Sequence, residues 1–227
     1  MKFLQRIKDN LAKDRKTLKT LTFRQKIRFI KDYYKGPFFV FLCICMIGFY
    51  AWDVWMTTQR ETVLEGFFTN DDQNFFPAKE LTEEITQLFQ LNSDQQVLFD
   101  DSLHVMLGSH DEYHTSSQSK ILAYISAREL DFLVTTEELT QYYCPNVPIY
   151  DLEELLPAEL LEKLDGQLYY ATDGSGEYKA CAVSLANCRY VKGKLADDAA
   201  PHYLIAFSYT KHPEALVRFL EYAFEEG

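Results

Sequence analysis

FFVFLCICMIGFYAWDVWM, residues 38–56, is a run of 19 residues in which Asp53 is the single charge. A helix rises about 1.5 Å per residue, so the run covers about 28 Å, close to the thickness of a bilayer's hydrocarbon layer. A buried helix of a soluble domain seldom passes through 15 residues without a charge while carrying aromatics at both margins. The run therefore reads as a transmembrane helix, extending over residues 37–57. Tyr33 and Tyr34 precede it, and Trp52 and Trp55 sit towards its far end, where amphipathic rings favour the headgroup level.

The charges on the two sides differ in sign. Residues 1–36 hold 12 Lys and Arg against 3 acids, a net of +9, whereas the rest of the chain holds 11 bases against 31 acids, a net of -20. Bases flanking a span favour the cytoplasm, so the sequence predicts a cytoplasmic N-terminus, a single pass through the plasma membrane and an acidic extracytoplasmic remainder. A cleaved secretory signal is the rival reading. It calls for a short leading segment and small residues at a cleavage site; here 36 residues precede the run, which continues Tyr50-Ala51-Trp52-Asp53.

Outward from the span, residues 1–36 form a basic cytoplasmic amphipathic segment. Leu4, Ile7, Leu11, Leu18 and Leu21 make one apolar stripe interrupted at Asp14, and Phe23, Ile27, Ile30 and Tyr34 make a second. Two readings stay open: an interfacial helix whose bases meet anionic lipid headgroups, and a short coiled coil joining subunits. Attachment to the bilayer argues against nucleic acid as a partner.

On the other side, residues 58–61 form a stalk and residues 62–227 an α/β domain. Residues 62–69 read as a strand and residues 78–91 as a helix opening at Pro77, with Leu81, Ile85, Leu88 and Phe89 on one face. A strand follows at 96–99 or 103–107. Residues 118–128 form a helix with Ser116 and Ser117 as caps, and residues 130–134 a short apolar strand. Thr135 and Glu138 supply a capping-box pattern for a helix over 136–143. Helical turns broken at Pro157 come next, then two strands at 166–171 and 178–185 joined by Asp173-Gly174-Ser175-Gly176, a turn signal. A strand at 202–209 and a helix from Pro213 complete the chain. Repeated alternation of strand and helix predicts a mainly parallel sheet in an α/β sandwich.

Two stretches carry a resemblance. KILAYISARELDFLVT, residues 120–135, resembles the helix-turn-strand of type 2 solute-binding proteins, and YLIAFSYTKHPEALVRFLEY, residues 203–222, is similar to that family's late strand and helix. The resemblance implies a binding lobe whose edge includes Asp131, Thr135 and Thr136, with Asp101 joining if the second strand ends there. The competing structural reading has Thr135 and Thr136 capping a helix and Asp131 entering a strand. A complete protein of that family has two lobes and closes them on its ligand. Here about 35 residues separate Tyr143 from Tyr178, too few for a second lobe, so the chain reads as a one-lobed, reduced relative.

Chemical motifs are sparse. His110 and His114 are four apart but lie among loop-forming residues without an HExxH order, so no metal is expected. No nucleophile elbow surrounds Ser126, Ser184 or Ser208, and no glycine-rich phosphate loop opens a helix, so neither catalysis nor a cofactor is expected. Three cysteines lie beyond the span, and Cys181 and Cys188 are near enough in sequence to form a disulfide, leaving Cys144 free. These features point to a non-catalytic binding or accessory module of a transport or surface complex. The alternative is a structural or assembly subunit with protein partners in the membrane; an envelope hydrolase is a weaker third.

Overall fold

The computed structural model describes residues 35–58, 60–195 and 200–225, together with Thr22 and Gln25. The two amphipathic stripes expected in residues 1–36 lie outside the described residues. The chain divides into two compact units, Met1–Gln59 and Arg60–Gly227.

The first unit contains α1, Lys35–Thr58, a helix of 24 residues. Its window Phe38–Trp55 has a mean hydropathy of 1.9 and is 0% buried, so it is long and apolar enough to cross a membrane. The expected limits, 37–57, agree with the helix to within two residues.

The second unit is a six-stranded sheet with helices on both faces. β1, Glu61–Thr69, is buried from Leu64 onward, as a central strand covered on both sides must be. α2, Ala78–Phe89, presents Leu81, Ile85 and Phe89 to the sheet at intervals of four. It ends where Gln90 turns left-handed, φ 54°, sending its N–H to Gln87 O while Leu91 N bonds Thr86 O. β2, Gln95–Leu103, contains the first of the two stretches between which the sequence left a choice, 96–99, and ends at Leu103, where the second would begin.

α3, Glu112–Ala127, starts six residues before the expected 118. Its cap is Asp111, which accepts from Tyr113 N, rather than Ser116 or Ser117. Its first nine residues, EYHTSSQSK, carry no apolar stripe, so periodicity alone conceals its early turns. Ser117, Ile121 and Ile125 are its buried residues, again four apart.

β3, Phe132–Thr135, is buried throughout and leads into α4, Glu137–Tyr143. α5, Leu152–Leu155, and α6, Ala158–Lys163, are separated around Pro157 as expected. β4, Leu168–Thr172, and β5, Tyr178–Ser184, form the expected hairpin, whose turn is organised by Asp173 accepting from Ser175 N and Glu177 N. β6, Tyr203–Ala206, is shorter than the expected 202–209, and α7, Pro213–Ala223, follows it.

The strand order is β2-β1-β3-β6-β5-β4. β1 pairs with β2 and β3 in parallel, but β3–β6, β6–β5 and β5–β4 are antiparallel. The sheet is thus mixed, not mainly parallel. Parallel neighbours need a crossover, whereas β4 and β5 are joined by a tight turn that imposes the antiparallel sense. Alternation of helix and strand in the sequence does not distinguish the two arrangements.

Two cores flank the sheet. One packs α2, α5, α6 and α7 against Leu64, Phe68, Phe132, Val134, Val183 and Leu204. The other packs α3 and α4 against Phe67, Leu133, Ile205 and Phe207. Strand alternation assigns successive residues of β1, β3 and β6 to opposite cores.

Candidate functional site

Ligands of open α/β sheets bind beyond the carboxyl ends of the strands, where neighbouring connections leave towards opposite faces. That point lies between β1 and β3: the chain leaves β1 for α2 in the first core, and leaves β3 for α4 in the second. Thr69 and Thr135 end these strands with their side chains on the same face. Both are fully buried, and Thr69 Oγ1 donates to Thr135 Oγ1 at 2.7 Å and approaches Val134 O at 3.2 Å.

The surrounding polar groups are bonded within the chain as well. Asn70, with φ 58°, follows β1 and ties its amide to the backbone of Val105 in both directions, Nδ2 to O at 2.9 Å and Val105 N to Oδ1 at 2.8 Å. His202 Nε2 donates to Asn70 O at 3.1 Å, and its ring meets the edge of Phe76. Asp71 accepts from the N–H groups of Phe75 and Phe76. Hydroxyls, amide and imidazole thus hold the strand ends together.

The sequence-derived residues separate on this frame. Thr135 belongs to the strand-end cluster. Thr136 is the N-cap of α4 by backbone geometry, without a side-chain cap bond, and its carbonyl accepts from Thr140 N and Oγ1. The expected Thr135–Glu138 capping box does not form, because the helix begins one residue later and Thr135 is the last residue of β3, its hydroxyl accepting from Thr69. Asp101 lies within β2 and accepts from Ala78 N at 2.8 Å, capping the start of α2. Asp131 stands at the opposite end of β3 from Thr135, and at about 3.3 Å per residue the two are about 13 Å apart.

Asp131 accepts from Glu65 N at 2.7 Å and from the Thr210 hydroxyl, while its own backbone exchanges bonds with Glu65 O and Phe207 N. It therefore joins β1, β3 and the segment after β6. Burial raises its carboxyl above the usual range, against the lowering effect of those two donors. Beside it, Glu65 is a buried carboxyl whose pKa burial pushes up to about 7, with Glu129 and Asp131 adding and Lys120 opposing. Lys120 bonds Asp100 and lies over the rings of Phe67 and Tyr124. Burial acts to raise Asp100, but its bonds from Lys120 and Ser102 prevail and hold it below the usual range. The sequence signal for Glu65 was a charge in mid-strand, Leu64-Glu65-Gly66-Phe67, and it was missed.

A second polar cluster unites α2, α7 and the turn after β5. Glu84 accepts from the hydroxyls of Tyr190 and Tyr222, and Arg189 lies over the Tyr222 ring at 4.0 Å. Nearby, an open cleft of about 320 Å³ is lined by Glu159, Glu221, Glu225, Lys163, Arg218 and Tyr222 among others. Its charges are mixed, and Arg218 is already committed to Leu88 O and the Phe89 ring.

His114 does not converge with His110 on a metal. It lies in α3 and bonds the carbonyl of His104, whose own ring bonds Asp72. Among the described residues, no group of three or more His, Cys, Asp or Glu is arranged to hold a metal ion. Cys181 and Cys188, expected as a disulfide, are both free thiols on opposite faces of the sheet, Cys181 in the second core and Cys188 in the first.

The chain matches no protein-family model, no curated protein and no solved structure.

Proposed function

We propose that this protein is a membrane-anchored, extracytoplasmic and non-catalytic α/β module that serves a membrane complex as a binding or accessory subunit. The observation that carries this reading is α1, whose Phe38–Trp55 window is apolar, long enough to span and 0% buried, and which is followed in the chain by a compact unit with its own two cores. The charge asymmetry supports the direction: +9 in residues 1–36 and -20 in the rest of the chain favour a cytoplasmic N-terminus in the plasma membrane, with residues 1–36 against anionic lipid.

The strand ends bear on what the outer unit contacts. Thr69, Thr135, Asn70 and His202 are bonded to one another or to backbone, which favours contact between protein surfaces over enclosure of a small solute. A one-lobed relative of the type 2 solute-binding proteins is compatible with that use. The same observation favours the second reading, an assembly subunit packing on other membrane proteins.

Protease added to intact cells, after removal of any wall, tests the placement: the outer unit is expected to be digested while an N-terminal tag is protected, and the reverse pattern overturns it. Crosslinking in native membranes tests the role. A discrete crosslinked complex is expected, whereas a chain that stays monomeric in membranes and gains thermal stability with a small solute argues for solute capture instead.

A further inference from the structure

Cys144 and Cys181 are separated by about 37 residues, yet both are fully buried in the second core. Cys144 closes the C-terminus of α4, where its N–H bonds Thr140 O at 3.0 Å. Cys181 lies at an irregularity in β5. Tyr169 pairs with Ala182 and Tyr170 with Ala180, so Cys181 is the extra residue of a β-bulge. In a regular strand Cys181 and Ala182 would face opposite sides; here both belong to the second core, while Ala180 and Val183 on either side belong to the first.

The bulge sets Cys181 and Ala182 together in the core that also holds Cys144, and the Cys144 and Cys181 thiols are close enough to act directly on each other's ionisation. That contact is the leading influence on both groups. It raises Cys144 and lowers Cys181; burial opposes the lowering of Cys181, and Lys179 adds to it. Cys181 Sγ lies 3.4 Å from the carbonyls of Ala171 and Lys179. Cys188 has no such partner among the described cysteines and sits across the sheet.

We propose that Cys144 and Cys181 are a disulfide-forming pair that joins α4 to β5 when the chain meets an oxidising thiol-disulfide environment, with Cys188 remaining a thiol. The chemistry is two successive exchanges with a disulfide RS–SR, either a small molecule or an oxidoreductase. The Cys181 thiolate attacks one sulfur, forming Cys181–S–SR and releasing RS⁻. Cys144, losing its proton, then attacks the Cys181 sulfur and displaces the second RS⁻. Two protein thiols give up two protons and two electrons, and RS–SR is reduced to two thiols. Both sulfurs are buried, so exchange takes place during folding or local opening.

Closing a loop of about 37 residues restricts the unfolded chain, and for a unit of this size the chain-entropy argument gives a rise in Tm of about 5–15 °C. The formation of the bond follows from the geometry; its presence in cells rests on the outward placement proposed above.

The full-length chain in detergent is incubated with oxidised glutathione, denatured, alkylated without reduction and mapped by mass spectrometry. The expected product is one linked pair of peptides carrying Cys144 and Cys181, with Cys188 alkylated, and a higher Tm than the reduced chain. Cys144→Ser or Cys181→Ser abolishes the link and Cys188→Ser preserves it. Alkylation of both Cys144 and Cys181 after oxidation, or a link through Cys188, overturns the proposal; the Tm comparison within the unsubstituted protein needs no variant to fold. The same mapping on acid-quenched cells tests the placement separately. A bond that forms in vitro but is absent in cells leaves the pair intact and counts against the extracytoplasmic reading.

Discussion

Gly66 lies in the middle of β1, opposite Phe132 of β3, and it is the position where one added carbon has the clearest consequence. A Cβ built there falls 2.1 Å from Phe132 Cζ, 2.4 Å from Cε1 and 2.6 Å from Cε2, inside the ring's own van der Waals envelope. The ring has little freedom to withdraw. Phe132 is fully buried, stacked on Phe219 at 5.2 Å, and met edge-on by Phe68 at 5.7 Å and Phe99 at 5.8 Å. Overpacking a core costs roughly 1–3 kcal/mol, and a ring boxed on three sides belongs at the upper end. Replacing a strand glycine with alanine returns roughly 0.5–1 kcal/mol of backbone entropy. Gly66→Ala is therefore expected to destabilise the sheet unit by about 2 kcal/mol, lowering its Tm by about 4–8 °C for a unit of this size. Urea unfolding followed by far-UV circular dichroism measures it; tryptophan fluorescence does not, because both tryptophans, Trp52 and Trp55, lie in α1. Phe132→Leu should remove part of the clash, so Gly66→Ala combined with Phe132→Leu should cost less than the two single changes added together. A Gly66→Ala protein as stable as the parent, or strictly additive costs, would refute the steric account.

Three further outcomes are expected. Glu65 binds its proton more tightly in the folded chain, with a pKa of about 7 against an ordinary 4.5, so its contribution favours folding at low pH and is lost as pH rises from about 4.5 through 7; Glu65→Gln should flatten that part of the stability profile and raise stability at pH 8 by about 1–2 kcal/mol after solvent screening, and an unchanged slope sinks the assignment. The buried Tyr143 hydroxyl has no hydrogen-bond partner among the described residues, and burial pushes its pKa up to about 12, so Tyr143→Phe should raise the stability read from urea unfolding by about 1 kcal/mol, whereas a clear loss would reveal a partner. Ile44→Arg together with Ile47→Arg places two cations inside the span at about 3 kcal/mol each, and the carbonate-resistant membrane fraction should fall; full retention there contradicts the anchoring role.

Legibility in the sequence followed the range of the interactions involved. α1, α2, α7 and the β4–β5 hairpin are specified by residues a few places apart: an uncharged run, apolar positions at intervals of four, Pro213 at a helix start, Asp173 in a turn. These were legible to within a few residues. The early turns of α3 were not, since Ser117 is its only buried residue before Ile121 and a serine on the inner face resembles one in solvent. The sense of the sheet was also concealed. Phe132-Leu133-Val134 reads as a doubly covered strand, which it is, but nothing local reveals that β6 comes beside it antiparallel while β1 pairs on its other side in parallel.

The candidate site was legible only as a set of residue types. Asp101, Asp131, Thr135 and Thr136 are the polar residues that strand ends offer, and each is also a residue that completes the backbone bonding of helices and turns. What separates the two uses is whether the side chain already has a partner, and those partners are distant: Thr135 is bonded by Thr69, Asp131 by Glu65 and Thr210, Asp101 by Ala78. The cysteines obey the same logic. Cys181 and Cys188, seven residues apart, lie on opposite faces, while Cys144 and Cys181 share one core at a bulge of β5. The bulge puts Cys181 and Ala182 in one core between Ala180 and Val183 in the other, an arrangement that neither the cysteine spacing nor the period of a strand displays.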